Sequence, residues 1–144
     1  MTIFPPPIIT IDRTGFHLRL WKKGLSRYFP KKSYSIAVGM EGHETPTGMY
    51  FVQSKTRRPD WLAPHSDWVV PPKVPGTVYK FDDPLNPFAG GFISVSQKEG
   101  IGIHGTKFDP QLGHDVSHGC IRMAVSDLED LYGRVPVGSP VFIY

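Results

Sequence analysis

A chain of 144 residues is the length of one ordinary domain, large enough to bury a hydrophobic core without disulfides or metals to staple it. A net charge of +3, with basic residues scattered in pairs such as Lys22-Lys23, Lys31-Lys32 and Arg57-Arg58, argues against a nucleic-acid footprint and for a solvated surface. The single cysteine excludes an internal disulfide, and no apolar stretch reaches the length of a membrane span.

Residues 1–7 lack a basic segment followed by a long apolar run, so they read as an extended tail and not as a signal peptide. Next come the apolar Ile8-Ile9-Thr10-Ile11, a turn at Asp12-Arg13-Thr14-Gly15, and an alternating segment over 16–22. That segment puts Phe16, Leu18 and Leu20 on one face, and the pair predicts a hairpin. Further strands are expected over 35–39, 49–53, 92–96, 101–104 and 141–144. Residues 62–80 are proline-rich, with Trp61, Trp68 and Tyr79 as packing anchors or cleft-lining rings. One helix follows: Ser126 and Glu129 have capping-box spacing, Leu128, Leu131, Tyr132 and Val135 form its apolar stripe, and Pro136 stops it. It is expected to buttress the sheet behind the Cys120 segment. Fifteen glycines and fifteen prolines agree with many short strands joined by turns. The fold class is mainly β, one domain over 1–144, an antiparallel or mixed sheet or sandwich with one short helix after the cysteine. No repeat, low-complexity tract or linker interrupts it.

The chemistry concentrates around Cys120 in Ser117-His118-Gly119-Cys120-Ile121-Arg122, with a second histidine upstream in Ile103-His104-Gly105-Thr106. An imidazole beside a thiol takes its proton and leaves a thiolate–imidazolium pair, the form in which cysteine attacks acyl carbon. Gly119 permits a tight turn, and the N–H groups of Gly119 and Cys120 are candidates for an oxyanion hole. Two readings compete with this one. A lone free cysteine is often an inert core thiol, and His104, His114, His118 and Cys120 contain enough donors for zinc, although their spacing matches no zinc-finger or zincin pattern. His114, beside Asp115, reads as a surface histidine.

With these residues in place the chain resembles the L,D-transpeptidase catalytic domain, the YkuD family. The resemblance rests on Ile-His-Gly at 103–105, a twelve-residue spacer at 105–116, and Ser-His-Gly-Cys at 117–120 followed by Ile121, Arg122 and Met123. Gly39 with Thr45-Pro46-Thr47-Gly48, Pro59-Asp60-Trp61, Asn86-Pro87 and a closing strand over 138–143 extend it to roughly residues 8–144. Two departures, the 62–80 stretch and Phe88 where a smaller aliphatic residue is usual, are not expected to touch the catalytic residues.

The resemblance implies a cysteine-dependent transferase of peptidoglycan synthesis, needing no cofactor and no metal. Cys120 would be the nucleophile and His104 the base, its tautomer fixed by the carbonyl of Gly105. Ser117 would position the loop, His118 would support the site or be structural, and Arg122 would hold a substrate carboxylate or an internal acidic partner. The partners implied are peptidoglycan stem peptides, donor and acceptor, met by a monomer in the periplasm or cell wall. A tetrapeptide stem would be joined to Cys120 as a thioester with release of D-alanine, then passed to a second stem as a 3-3 cross-link. Carbapenems would acylate the same thiol. An L,D-carboxypeptidase or amidase, a ligase anchoring wall protein, and a non-catalytic wall-binding module are the alternatives.

Overall fold

In the computed structural model, which describes residues 5–144, the hairpin joins β1 (Ile8–Asp12) to β2 (His17–Lys23) in antiparallel register. Asp12 builds the turn, because its Oδ1 accepts from the N–H groups of Thr14 and Gly15 at 3.1 and 2.9 Å. Leu18 and Leu20 are buried as alternation predicts. Phe16 is not: it closes the turn at φ 57°, ahead of the strand, and packs only against the edge of the core. Of the expected tail, residues 1–4 fall outside the described residues, and 5–7 have no regular structure.

β3 (Tyr28–Gly39) is much longer than the expected 35–39, because Tyr28 to Ser33 contains no buried residue and therefore no apolar alternation to read. The chain continues through β4 (Gly48–Phe51), β5 (Ser54–Thr56), β6 (Trp61–Leu62), β7 (Val78–Tyr79), β8 (Phe88–Ser96) and β9 (Ile101–Thr106). It ends with β10 (Asp115–Ser117), β11 (Ile121–Met123), α1 (Val125–Arg134) and β12 (Pro140–Ile143). Ten strands form one mixed sheet in the order β4-β12-β1-β2-β3-β11-β9-β8-β5, with β10 beside β3; β6 and β7 pair separately. The parallel pairs are β1 with β12, β3 with β10, and β9 with β11.

The sheet curls so that its two arms share a core. Ile9, Ile11, Leu18 and Val141 come from one arm, Ile93, Ile103, Ile121 and Met123 from the other, and Leu128 and Leu131 of α1 join them. Each such side chain contributes about 1.5–3 kcal/mol when fully buried, so the shared core is what holds the arms together.

The helix corrects two expectations. Its N-cap is Ala124, with no side-chain cap bond, so Ser126 lies inside the first turn and the capping box does not form. It packs on β8 and β9 and not directly behind Cys120. Glycines make that seat: a Cβ at Gly90 or Gly91 would come within 3.2 Å of Val125 or Tyr132. Lys55 Nζ donates to the carbonyl of Tyr132 at 2.9 Å, placing a cation at the helix C-terminus where the dipole favours one.

A second, smaller core gathers Trp61, Ala63, Val69 and Tyr79, with Trp68, Leu85 and Phe88 partly buried against it. Asn86 ties it down from a fully buried position. Its Nδ2 donates to the carbonyls of Pro59 and Tyr79 at 3.0 and 3.1 Å, and its Oδ1 accepts from the Phe88 N–H at 2.9 Å. The proline-rich 62–80 stretch is therefore a folded flap with packing of its own, and Trp61 and Tyr79 are its anchors.

Candidate active site

Strand register brings the reactive side chains together. In the parallel β9–β11 pair, Arg122 lies opposite His104 and Ile121 opposite Ile103. Ile103, Ile121 and Met123 face the core, so alternation turns His104 and Arg122 to the other face, onto a cleft of about 840 Å³. Cys120, one residue ahead of β11, lines the same cleft, and extending the register sets it across from Gly102 and diagonal to His104. Its Sγ donates to the Gly100 carbonyl oxygen at 3.5 Å.

His104 Nδ1 is 2.8 Å from the carbonyl oxygen of Gly105. A carbonyl only accepts, so Nδ1 carries the proton and Nε2 keeps its lone pair. The ring is buried, lies parallel to Phe92 at 5.8 Å between centroids, and meets Phe88 edge-on at 4.8 Å. Its pKa is lowered to about 4, chiefly by burial and also by Arg122, against the opposing Gly105 bond. Burial pushes the Cys120 thiol up, partly offset by the Gly102 N–H and by Arg122. Both shifts favour a neutral thiol beside a neutral imidazole at rest, not the ion pair that the bare residue types imply.

The loop before Cys120 is a bend and not a strand, with Gly119 at φ 123°, a conformation that suits glycine. Ser117 Oγ donates to the Cys120 carbonyl at 2.6 Å and accepts from the Gly119 N–H at 3.2 Å. That bond occupies one of the two backbone donors expected for an oxyanion hole and turns attention to the Cys120 N–H. Thr45 fastens the bend from below: its Oγ1 accepts from the Gly39 N–H at 2.9 Å and donates to the Gly119 carbonyl at 2.8 Å, both bonds buried.

Because the segment bends, alternation does not carry from Cys120 back to His118. His118 stacks on Trp68 of the flap, with centroids 4.2 Å apart and planes 18° apart, and meets His43 edge-on at 4.9 Å. Phe88 meets His104, contrary to the expectation that neither departure touches it, while Trp68 of the 62–80 stretch lines the cleft, one of the two roles expected for it, and reaches the site through His118. Arg122 is half-buried, and among the described residues no carboxylate lies within ion-pair distance of it or of Lys73. Lys73 also lines the cleft, its Nζ above the rings of Trp61 and Phe108 at 5.4 and 6.0 Å. His114 is exposed and is not among the cleft-lining residues. Among the described residues no three His, Cys, Asp or Glu side chains are arranged to hold a metal.

Reasoning from the sequence passed over Phe92, Thr45 and Lys73. Phe92 was within reach, since it is the direct cross-strand partner of His104, but only once the β8–β9 register is known. Thr45 sits in the Thr-Pro-x-Gly stretch already singled out, where nothing in the one-dimensional pattern points to Gly119.

The model of the L,D-transpeptidase catalytic domain, YkuD, matches residues 6–143. The chain is 33% identical over 112 residues to an L,D-transpeptidase named YkuD from Bacillus subtilis, covering 78% of this chain and 52% of that protein. The namesake from Bacillus licheniformis is 31% identical over 138 residues, covering 96% and 66%. Among solved structures, an Enterococcus faecium L,D-transpeptidase superposes with a TM-score of 0.73 at 24% identity, covering 98% of this chain and 50% of that one. The L,D-transpeptidase LdtMt1, solved in complex with imipenem, superposes at 0.74 and 17% identity, covering 96% and 59%. These likenesses to solved structures establish the fold, and the chain spans about half the length of several relatives it matches. By sequence over nearly its whole length, the chain belongs to the L,D-transpeptidase catalytic-domain family.

Proposed function

We propose that the chain is a cysteine-dependent L,D-transpeptidase acting outside the cytoplasm on peptidoglycan tetrapeptide stems. The observation that carries this reading is Cys120 on one face with a histidine whose lone pair is held free at Nε2. As Sγ attacks the carbonyl carbon preceding the terminal D-alanine, His104 Nε2 takes the thiol proton, so charge develops only during the reaction. The Cys120 N–H donates to the oxyanion that forms. Collapse breaks the C–N bond, His104 returns the proton to the departing D-alanine amine, and a thioester remains. The side-chain amine of a second stem then attacks, His104 accepts its proton, the C–S bond breaks, and the thiol is restored with a 3-3 cross-link made. Arg122 and Lys73 are the cations available to the stem carboxylates.

The test is product analysis with purified tetrapeptide stems. D-alanine and cross-linked dimer from wild type, both absent with Cys120→Ala, is the expected result. D-alanine without dimer would reassign the protein as a carboxypeptidase, and product from Cys120→Ala would end the proposal.

A further inference from the structure

Residues 13–40 carry seven lysines and arginines and no aspartate or glutamate, a stretch of +7 in a chain whose net charge is +3, so the remainder is net acidic. In the sequence the lysine pairs look scattered. Antiparallel pairing of β2 with β3 gathers them, with Lys22 opposite Phe29 and Lys23 opposite Tyr28. The turn between the strands is tight, the Gly24 N–H donating to the Arg27 carbonyl at 2.7 Å.

This distal hairpin is not backed by the core: no residue from 21 to 33 is buried. Leu25 at the tip is fully exposed, and Phe29 is 45% exposed. The cations sit on the aromatics, Arg27 above Phe29 at 4.9 Å and Lys23 above Tyr28 at 5.4 Å. Of the five cations at 22–32, only Lys32 has a carboxylate partner among the described residues, Asp130 at 3.6 Å. Solvated lysines alone need no explanation, but an uncovered apolar tip inside a ring of unneutralised cations fits a surface that is both anionic and apolar beneath. A soluble polyanion would answer the charge and leave Leu25 unexplained.

We propose that this hairpin docks the protein on an anionic lipid bilayer. Leu25 and Phe29 enter the boundary between headgroups and acyl chains, and Lys22, Lys23, Arg27 and Lys31 lie among the headgroups. β3 connects this surface to the site, since Tyr28 is at the tip and Ala37 lies opposite Arg122. At about 3.3 Å per residue the cleft stands roughly 30 Å from the docked tip, at the other end of the strand. On the functional reading above, that holds the cleft toward the wall while the chain rests on the membrane.

The experiment is co-sedimentation of the full chain with phosphatidylcholine vesicles, with and without phosphatidylglycerol. Binding only to the anionic vesicles, weakening with salt, is expected. Each of Lys22→Gln, Lys23→Gln and Lys31→Gln should lower the partition coefficient about fivefold, and Leu25→Ala with Phe29→Ala about tenfold or more. Carbapenem acylation in solution should be unchanged in these variants, which shows that they remain folded. Absence of binding to anionic vesicles, equal binding to neutral ones, or full binding by the Leu25→Ala/Phe29→Ala protein would each overturn the proposal. The last would reduce it to charge adhesion, open to any soluble polyanion such as polyphosphate.

Discussion

Gly102→Ala is the perturbation that tests the site's construction most finely. A Cβ at Gly102 would lie 2.2 and 2.3 Å from two carbons of the Phe92 ring and 3.0 Å from the Ile93 carbonyl oxygen. The backbone there accepts alanine, so the whole penalty is steric. To reach ordinary contact the Phe92 ring must retreat by more than about 1 Å, and it is this ring that lies parallel to His104. Overpacking of this kind costs about 1–3 kcal/mol, or roughly 4 °C in melting temperature per kcal/mol for a domain of this size. Displacing the base by a comparable distance slows chemistry by about 10–100-fold. Gly102→Ala should therefore remain folded, lose a few kcal/mol at most, and react slowly at Cys120. Denaturant unfolding and time-resolved intact mass with a carbapenem read the two effects separately. In a Phe92→Ala background only the 3.0 Å approach to the Ile93 carbonyl oxygen remains, so most of the stability penalty should be lost, a coupling of about 1–3 kcal/mol. Acylation at the wild-type rate in Gly102→Ala, or the same penalty with and without the Phe92 ring, would refute the reasoning.

Thr45→Val should cost about 1–3 kcal/mol for each of the two buried partners it orphans, the Gly39 N–H and the Gly119 carbonyl, and should slow acylation; urea midpoints and adduct rates measure both. Trp68→Ala removes the ring stacked on His118 without entering the main core, so KM for stem peptides should rise more than global stability falls, as steady-state kinetics would record. For His104 the folded pKa of about 4 lies below the ordinary 6.5, so the unfolded chain takes up the proton first as pH falls. Its contribution to stability is complete above about pH 6.5 and is lost progressively toward pH 4, amounting to about 3 kcal/mol. Urea unfolding of wild type against His104→Asn across that window should show a steeper loss of stability in wild type, the difference reporting His104 over the background that His118 and the acidic groups give both proteins. The acidic limb of Cys120 acylation should likewise lie near pH 4, and a limb near 6.5 would contradict the buried neutral imidazole.

The parts of this molecule legible in one dimension were those carried by local chemistry. Alternation found the β1–β2 hairpin and most of the sheet, and the apolar stripe of Leu128, Leu131 and Tyr132 found the helix. Ser-His-Gly-Cys with Ile-His-Gly marks the candidate site, and the β9–β11 pairing brings the two segments onto one cleft. What escaped depends on pairing across distance. The first half of β3 has no buried face, so no period marks it. The helix start went to Ser126 by cap chemistry, but the packing of Val125 against Gly90 and Gly105 begins it at Ala124. Nothing in one dimension sets Phe88 against His104 or chooses between packing and cleft-lining for Trp68; the Asn86 anchor and the flap core do, placing Phe88 on His104 and Trp68 on His118. The lysine pairs of β2 and β3 read as scattered because only strand pairing folds them into one hairpin, Lys22 and Lys23 opposite Phe29 and Tyr28 and Lys32 opposite Leu20.

The central claim is an activated, acylatable thiol at Cys120 served by His104. Intact-mass spectrometry of the folded protein after incubation with a carbapenem tests it most directly, with Cys120→Ala and His104→Ala alongside. The account predicts one covalent adduct on wild type, none on Cys120→Ala, and slow formation on His104→Ala. An adduct that persists in Cys120→Ala, or a folded wild-type protein that forms none, would contradict it.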